Sequence, residues 1–379
     1  MSSGGYTKAS MGLVGTFFFL AYGIGQLVNG LLADKLSPVK MIFIGLTLSA
    51  VTNLLMGLSH SITALQIIWS LNGFALSMVW SPIIKIFSVH MPYKLKKAAA
   101  FNISTTIPIG TLAAYGLTSL VLIITPDWRI VFFVSSAVII ILSSVCYFFI
   151  GGVIKSLNDT LAEESETSPV SNVKPAEPVD KRKFILTFLQ SGILLVALAV
   201  MCNGIIKDGV NMWIPTYLKE RYSLSTLATI LTVAIIPIFN LSGIYIGQFI
   251  NNRVKNELKS TGIIFAIATI VLVILSLGVN NFVLAIILLA ITTALMLGAN
   301  SIMLSVFPLY FAKYNKTATV SGFLNFSSYV ASAISAYAFG AISDNFGWST
   351  TQWVWVMVAL AGVATATAAG IKKFTRNYK

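Results

Sequence analysis

Residues 155–183 read KSLNDTLAEESETSPVSNVKPAEPVDKRK, and this stretch decides the architecture. It is rich in Ser, Glu, Pro and Lys and carries no apolar stripe, so it buries too little surface to fold alone and reads as a solvated linker. Everything on either side of it is strongly apolar. The 379-residue chain is 56% hydrophobic and 10% charged, with a mean hydropathy of +0.86. A soluble domain is about a quarter charged. Cytosolic enzymes, disordered proteins and secreted disulfide scaffolds are therefore excluded. The long unbroken apolar runs also lack the alternation that a transmembrane barrel needs. An all-α integral membrane protein remains.

A spanning helix needs about 20 mostly apolar residues. Working outward from the linker, the front of the chain offers five such runs, at about 10–33, 39–59, 62–91, 98–125 and 130–153. The back offers six, at about 184–218, 224–250, 260–279, 281–311, 317–343 and 349–371. The domain reading is a front bundle over 1–154, the linker over 155–183 and a back bundle over 184–379.

Charge orders these runs across the bilayer. Of the 25 Lys and Arg, 19 fall in alternate connections, the linker and the tail. Lys8, Arg129, Lys219 and Arg221 lie on the opposite side, and Lys85 and Lys207 lie inside spans. The positive-inside rule places the linker and the C-terminus in the cytoplasm of a multi-pass cell-membrane (plasma or inner) protein. It also accounts for most of the +13 net charge without any nucleic-acid partner. Secondary transporters are commonly two related halves, so five spans against six suggests that the front half lacks one helix.

Cys146 and Cys202 lie in apolar runs and point to neither a disulfide framework nor a metal. No nucleotide-binding glycine loop occurs. His60 and His90 are too far apart to pair on a metal. The expectation is a protein that is not an enzyme and needs no cofactor.

Charges inside a span are costly and face a polar cavity or a partner. Lys85, Lys207 and Asp208 are the clear cases. Polar residues recur at spacings of three or four, which is one helix face. The stripes are Gly73, Ser77, Ser81, Lys85 and Ser88; Asn203, Lys207 and Asn211; Asn102, Thr105 and Thr106; and Ser321, Asn325, Ser328, Ser332 and Ser335. They mark either a wet path between the bundles or small-residue helix packing. Lys85 serves the path or snorkels to the cytoplasmic interface. Asp208 sits about 100° round the helix from Lys207. It is either the salt-bridge partner of a basic residue on another helix or a proton-coupling carboxylate. Trp213 and Tyr217 line an outer mouth or anchor the helix at the interface. Pro82, Pro108, Pro215, Pro237 and Pro308 are expected to kink their helices.

Gly30-Leu-Leu-Ala-Asp34-Lys35-Leu-Ser-Pro-Val-Lys40 resembles the signature loop of the major facilitator superfamily. In this reading Gly30 permits close helix approach, and Asp34, Lys35 and Lys40 steady one conformational state. Lys207-Asp-Gly-Val-Asn-Met-Trp213-Ile-Pro215-Thr-Tyr217-Leu-Lys-Glu220 is similar to helix seven of the organophosphate:phosphate antiporters. Trp80-Ser-Pro82 with Lys85, Phe101-Asn102, Gly322-Phe-Leu-Asn-Phe with Tyr329, and Ser343-Asp344-Asn-Phe-Gly-Trp348 resemble further helices of that family.

The resemblance implies a two-bundle major facilitator fold without the family's first helix. It implies antiport of a phosphate ester against inorganic phosphate by alternating access, performed by a monomer in a lipid bilayer. The candidate substrate-binding residues are Lys207, Lys85, Asp208, Asn211, Asn102, Thr105, Trp213, Tyr217 and Asn325. The departures are specific. Lys207 stands where the family has a phosphate-binding arginine, and a lysine is a point charge rather than a planar fork. Thr105 aligns with the histidine of the glycerol-3-phosphate branch, and Asn251-Asn252-Arg253 lacks the acid of the second signature loop. Two alternatives stay open: a sensor of an external sugar phosphate with little transport, and a proton-coupled carrier of a carboxylate or neutral solute through Asp208.

Overall fold

The computed structural model describes residues 8–33, 36–90, 102–167, 192–314 and 317–371. Every regular element among them is helical. The front helices are α1 (Lys8–Ala33), α2 (Pro38–Leu58), α3 (Ile62–His90), α4 (Thr106–Ile124) and α5 (Trp128–Thr167). The back helices begin with α6 (Ile193–Tyr222), α7 (Thr226–Val254), α8 (Glu257–Ser276) and α9 (Phe282–Val306). Thr317–Ile371 is a 55-residue helical stretch broken at Gly347, whose φ of 79° and ψ of 173° are not helical. Unbroken, it would extend about 80 Å at 1.5 Å per residue, far more than the roughly 30 Å hydrocarbon layer. The break divides it into α10 (317–346) and α11 (348–371). Among the described residues ten stretches are long and apolar enough to span, and the last of them contains this break.

Local chemistry sets the boundaries. Pro38 starts α2, where its missing N–H costs nothing. Ser225, Asn256 and Asn281 cap α7, α8 and α9 by accepting hydrogen bonds from backbone N–H groups. Lys255 ends α7 at a φ of 54°, with its N–H on Asn251 O.

The linker boundary requires a correction. α5 continues as helix to Thr167, well into the stretch read as solvated linker from residue 155. Ala, Leu and Glu in this stretch are good helix formers, and propagating an existing helix is far easier than starting one. Linker residues 168–183 lie outside the described residues.

In the front half, α3 packs on α1 and α2, and α2 packs on α5. In the back half, α6 packs on the paired stretch α10–α11, α7 on α9, and α8 on α9 and the α10–α11 stretch. The halves meet where α1 lies along α10 and where α4 leans on α7. The dense core belongs to the back, around Trp213, Trp355, Phe265, Phe307 and Phe339. Outward faces are apolar instead: Ile124 is 85% exposed and Phe148 76%. Such a surface suits lipid rather than water.

Close approach depends on small residues. A Cβ on Gly243 of α7 would meet the Ala294 carbonyl oxygen of α9 at 2.0 Å, and one on Gly298 would meet the Gly243 oxygen at 2.4 Å. At Gly30 a Cβ would meet, among the described residues, only Ser81 Oγ at 3.9 Å, an ordinary contact. At the α1–α3 crossing the tight positions are Gly25, packed on Ser77, and Gly73, packed on Phe18.

Candidate functional site

Halfway along α6 the backbone widens into a π-helical turn over Ile205–Val210. A second π segment, Ser301–Val306, ends α9. Single π turns inside α-helices recur at functional sites. The α6 turn brings the consecutive side chains of Lys207 and Asp208 together, with Nζ on Asp208 Oδ1. The pair is 15% and 16% exposed, so it is desolvated but not sealed. Asp208 Oδ2 accepts from Ser332 Oγ of α10 at 2.7 Å. The expected basic partner on another helix is thus replaced by the neighbouring lysine and a serine hydroxyl.

Lys207 and Asp208 border a cavity of about 230 Å³ between the halves. α6 supplies Lys207, Asp208 and Asn211, α4 supplies Thr111 and Tyr115, α7 supplies Asn240, and α9 supplies Thr293. Ile107, Ile236, Pro237 and Leu297 form the apolar wall. Asn240 is buried and its Oδ1 has no hydrogen-bond partner among the described residues. An unpaired buried amide oxygen is costly, which makes it an acceptor held ready in the cavity wall. Beside the pair, Tyr22 of α1 lies in hydrogen-bonding reach of Gln26 and of Tyr329 of α10, with ring centroids 4.5 Å apart.

The other sequence candidates are placed elsewhere. Trp213 is 1% exposed, and its Nε1 donates to Ala336 O at 3.0 Å, so it ties α6 to α10 and lines no mouth. Tyr217 accepts from Gln352 Nε2 and borders a separate cavity of about 500 Å³ at the ends of α6, α8 and α11. Charges in that larger cavity are already engaged. Glu220 accepts from Trp348 Nε1 at 2.8 Å, and Arg221 donates to Asn280 at 3.0 Å.

Asn102 is exposed at the start of the α4 segment, and Thr105 Oγ1 donates to Asn102 O. Asn325 bonds Ser321 on its own helix. None of these three borders the central cavity. Lys40 is exposed in the first turn of α2. Lys85 is on α3, but its side chain lies outside the described residues, as do Asp34 and Lys35.

Among the described side chains, the α3 stripe is spent on packing at Gly73, Ser77 and Ser81. Asn29 donates to Ser77 at 2.7 Å, Ser81 donates to Gln26 at 3.1 Å, and Gly73 abuts Phe18. Sequence reasoning missed Asn240, Thr111, Tyr115 and Thr293. Asn240 has no polar residue three or four positions away, although a lone amide in mid-span was itself a signal. Among the described residues no cluster suits a metal ion.

Residues 1–336 match the profile of the Major Facilitator Superfamily. The chain belongs to this superfamily. A probable hexose phosphate transport protein of Chlamydia trachomatis is 22% identical over 369 residues, covering 91% of this chain and 79% of that protein. The glycerol-3-phosphate transporter of Bacillus subtilis is 23% identical over 365 residues, covering 91% and 80%. The expected likeness to organophosphate:phosphate antiporters holds in these relatives. Among solved structures, an inward-facing bacterial homologue of the human lysosomal transporter Spinster superposes with a TM-score of 0.72. It is 15% identical, and the match covers 98% of this chain and 90% of that one. The fold is therefore that of a multi-pass major facilitator transporter.

Proposed function

We propose that this member of the superfamily is a secondary transporter of a small organic anion, a phosphate ester exchanged for inorganic phosphate. The observation that carries this reading is Lys207. It lines a cavity between the two halves, halfway along α6 and about 20 Å from either helix end. A lysine at that depth cannot reach water by snorkelling, and intramembrane charges mark substrate paths. The cavity volume of about 230 Å³ is below the usual range for drug-sized ligands, which favours a solute of few heavy atoms. Asn211, Thr111 and the unpaired Asn240 Oδ1 offer polar partners to such a solute's hydroxyls.

The relatives named for hexose phosphate and glycerol 3-phosphate supply the substrate class. In this reading bound anion draws α4 and α6 together, and the halves rock about the α1–α10 and α4–α7 seams. The linker and C-terminus face the cytoplasm of the plasma membrane, and a monomer is sufficient.

The test is exchange in proteoliposomes. Vesicles loaded with phosphate are to take up labelled phosphate faster than empty ones, and a panel of phosphate esters is to compete. Lys207→Met is to remove the saturable component. Exchange unaffected by Lys207→Met would refute the assignment.

A further inference from the structure

The central cavity holds a cation whose charge is already cancelled. Lys207 Nζ is on Asp208 Oδ1, and the two side chains are 15% and 16% exposed. An incoming anion thus meets a site of zero net charge. It must displace the carboxylate or share the ammonium with it. Sharing would leave the substrate's negative charge and Asp208 around one cation in a site of low dielectric, where like charges within a few ångströms strongly oppose each other.

Among the described residues, the other groups around Asp208 supply no positive charge. From α10, Ser332 donates to Oδ2 at 2.7 Å, and the Tyr329 phenol lies within electrostatic reach. From α1 the facing titratable group is Tyr22, and from α4 it is Tyr115. The residues that α7 and α9 contribute to the cavity wall include no titratable side chain. Phenols and a hydroxyl can hydrogen-bond a carboxylate, but they cannot neutralise it. A proton can.

Building on the transport reading above, we propose that Asp208 is a competing counter-ion for Lys207. The substrate anion takes its place on the ammonium, and the displaced carboxylate binds one proton from the solution facing the cavity. One O–H bond forms on Asp208, and no other covalent bond changes. Anion and proton then occupy the carrier together. Release on the far side returns the proton and restores the ion pair.

The test is proton counting by calorimetry on the full-length protein in lipid nanodiscs, with inorganic phosphate as the probe. Titrations at pH 8.5 in two buffers of different ionisation enthalpy give the number of protons taken up per phosphate bound. Wild type is expected to take up about one. Asp208→Asn is expected to take up none, and to bind phosphate about tenfold more tightly because nothing competes for Lys207. Should Asp208→Asn fail to fold, Asp208→Ser takes its place in the comparison.

Phosphate binding with no proton uptake in wild type, or with equal uptake in both proteins, would overturn this inference and leave the transport reading intact. No phosphate binding by well-folded wild type would overturn the transport reading and this inference with it.

Discussion

Removing one member of the Lys207–Asp208 pair should harm the protein more than removing both. Two unit charges about 3 Å apart at an effective dielectric near 20 interact by roughly 5–6 kcal/mol. Much of that is offset by the cost of desolvating each ion. The pair is only 15% and 16% exposed, so its environment is closer to a buried site than to a surface one. Lys207→Met leaves Asp208 with the Ser332 hydroxyl alone. Breaking a buried pair in this way costs about 3–5 kcal/mol where the orphaned carboxylate stays ionised, and less where it takes up a proton. Adding Asp208→Asn removes that charge, and the double variant should return to within about 1 kcal/mol of wild type, because replacing a buried ion pair is often close to neutral.

The assay is thermal unfolding in detergent for wild type, both single variants and the double variant, with uptake measured in parallel. Lys207→Met should melt well below wild type, and the double variant should recover most of the loss. Uptake should stay absent in both, since neither has the ammonium. If the double variant loses as much stability as the two single losses added together, the side chains are not coupled. The charge cancellation argued above would then be wrong.

Three further outcomes follow from the packing and the cavity. Gly243→Val places side-chain atoms where the Ala294 oxygen already lies 2.0 Å from a bare Cβ, so α7 and α9 must part; a large fall in melting temperature and in folded yield is expected. Asn240→Leu removes a buried oxygen that has no partner, so stability should hold or rise while substrate affinity falls about tenfold in a binding titration. Trp213→Phe loses one hydrogen bond to Ala336 O, which is worth about 1 kcal/mol. It should lower the melting temperature without changing the uptake KM, whereas a residue at the mouth would change KM.

The spans were legible because each is a contiguous apolar run, and contiguity survives folding. The turn at Gly347 was legible for the same reason, as a gap between runs at 343–349. The linker start was not. Composition reports what a segment cannot bury, but α5 needs no burial to carry its last turns onward once the helix exists.

Within the site, Lys207 and Asn211 were readable from cost and spacing, and both line the cavity. The pairing of Lys207 with Asp208 was not, since ideal α-helical geometry turns adjacent side chains apart and the π turn at Ile205–Val210 is not encoded in the polar pattern. The α3 stripe left two readings open, because a helix neighbour and a water path select the same small polar residues. Only the Asn29–Ser77 and Gln26–Ser81 bonds distinguish them.

The adjacency of Lys207 and Asp208 also bears on how the protein is made. A charged residue at the centre of a nascent span costs about 2.5–3.5 kcal/mol during insertion. Partners on distant helices offer no relief at that moment, because Ser332 lies 124 residues downstream of Asp208 and has not yet been synthesised. A counter-ion one residue away is present as soon as α6 emerges from the ribosome. The helix that carries the costliest side chains in the back half therefore brings its own neutralisation into the bilayer, and its biogenesis need not wait for the helices that later enclose the site.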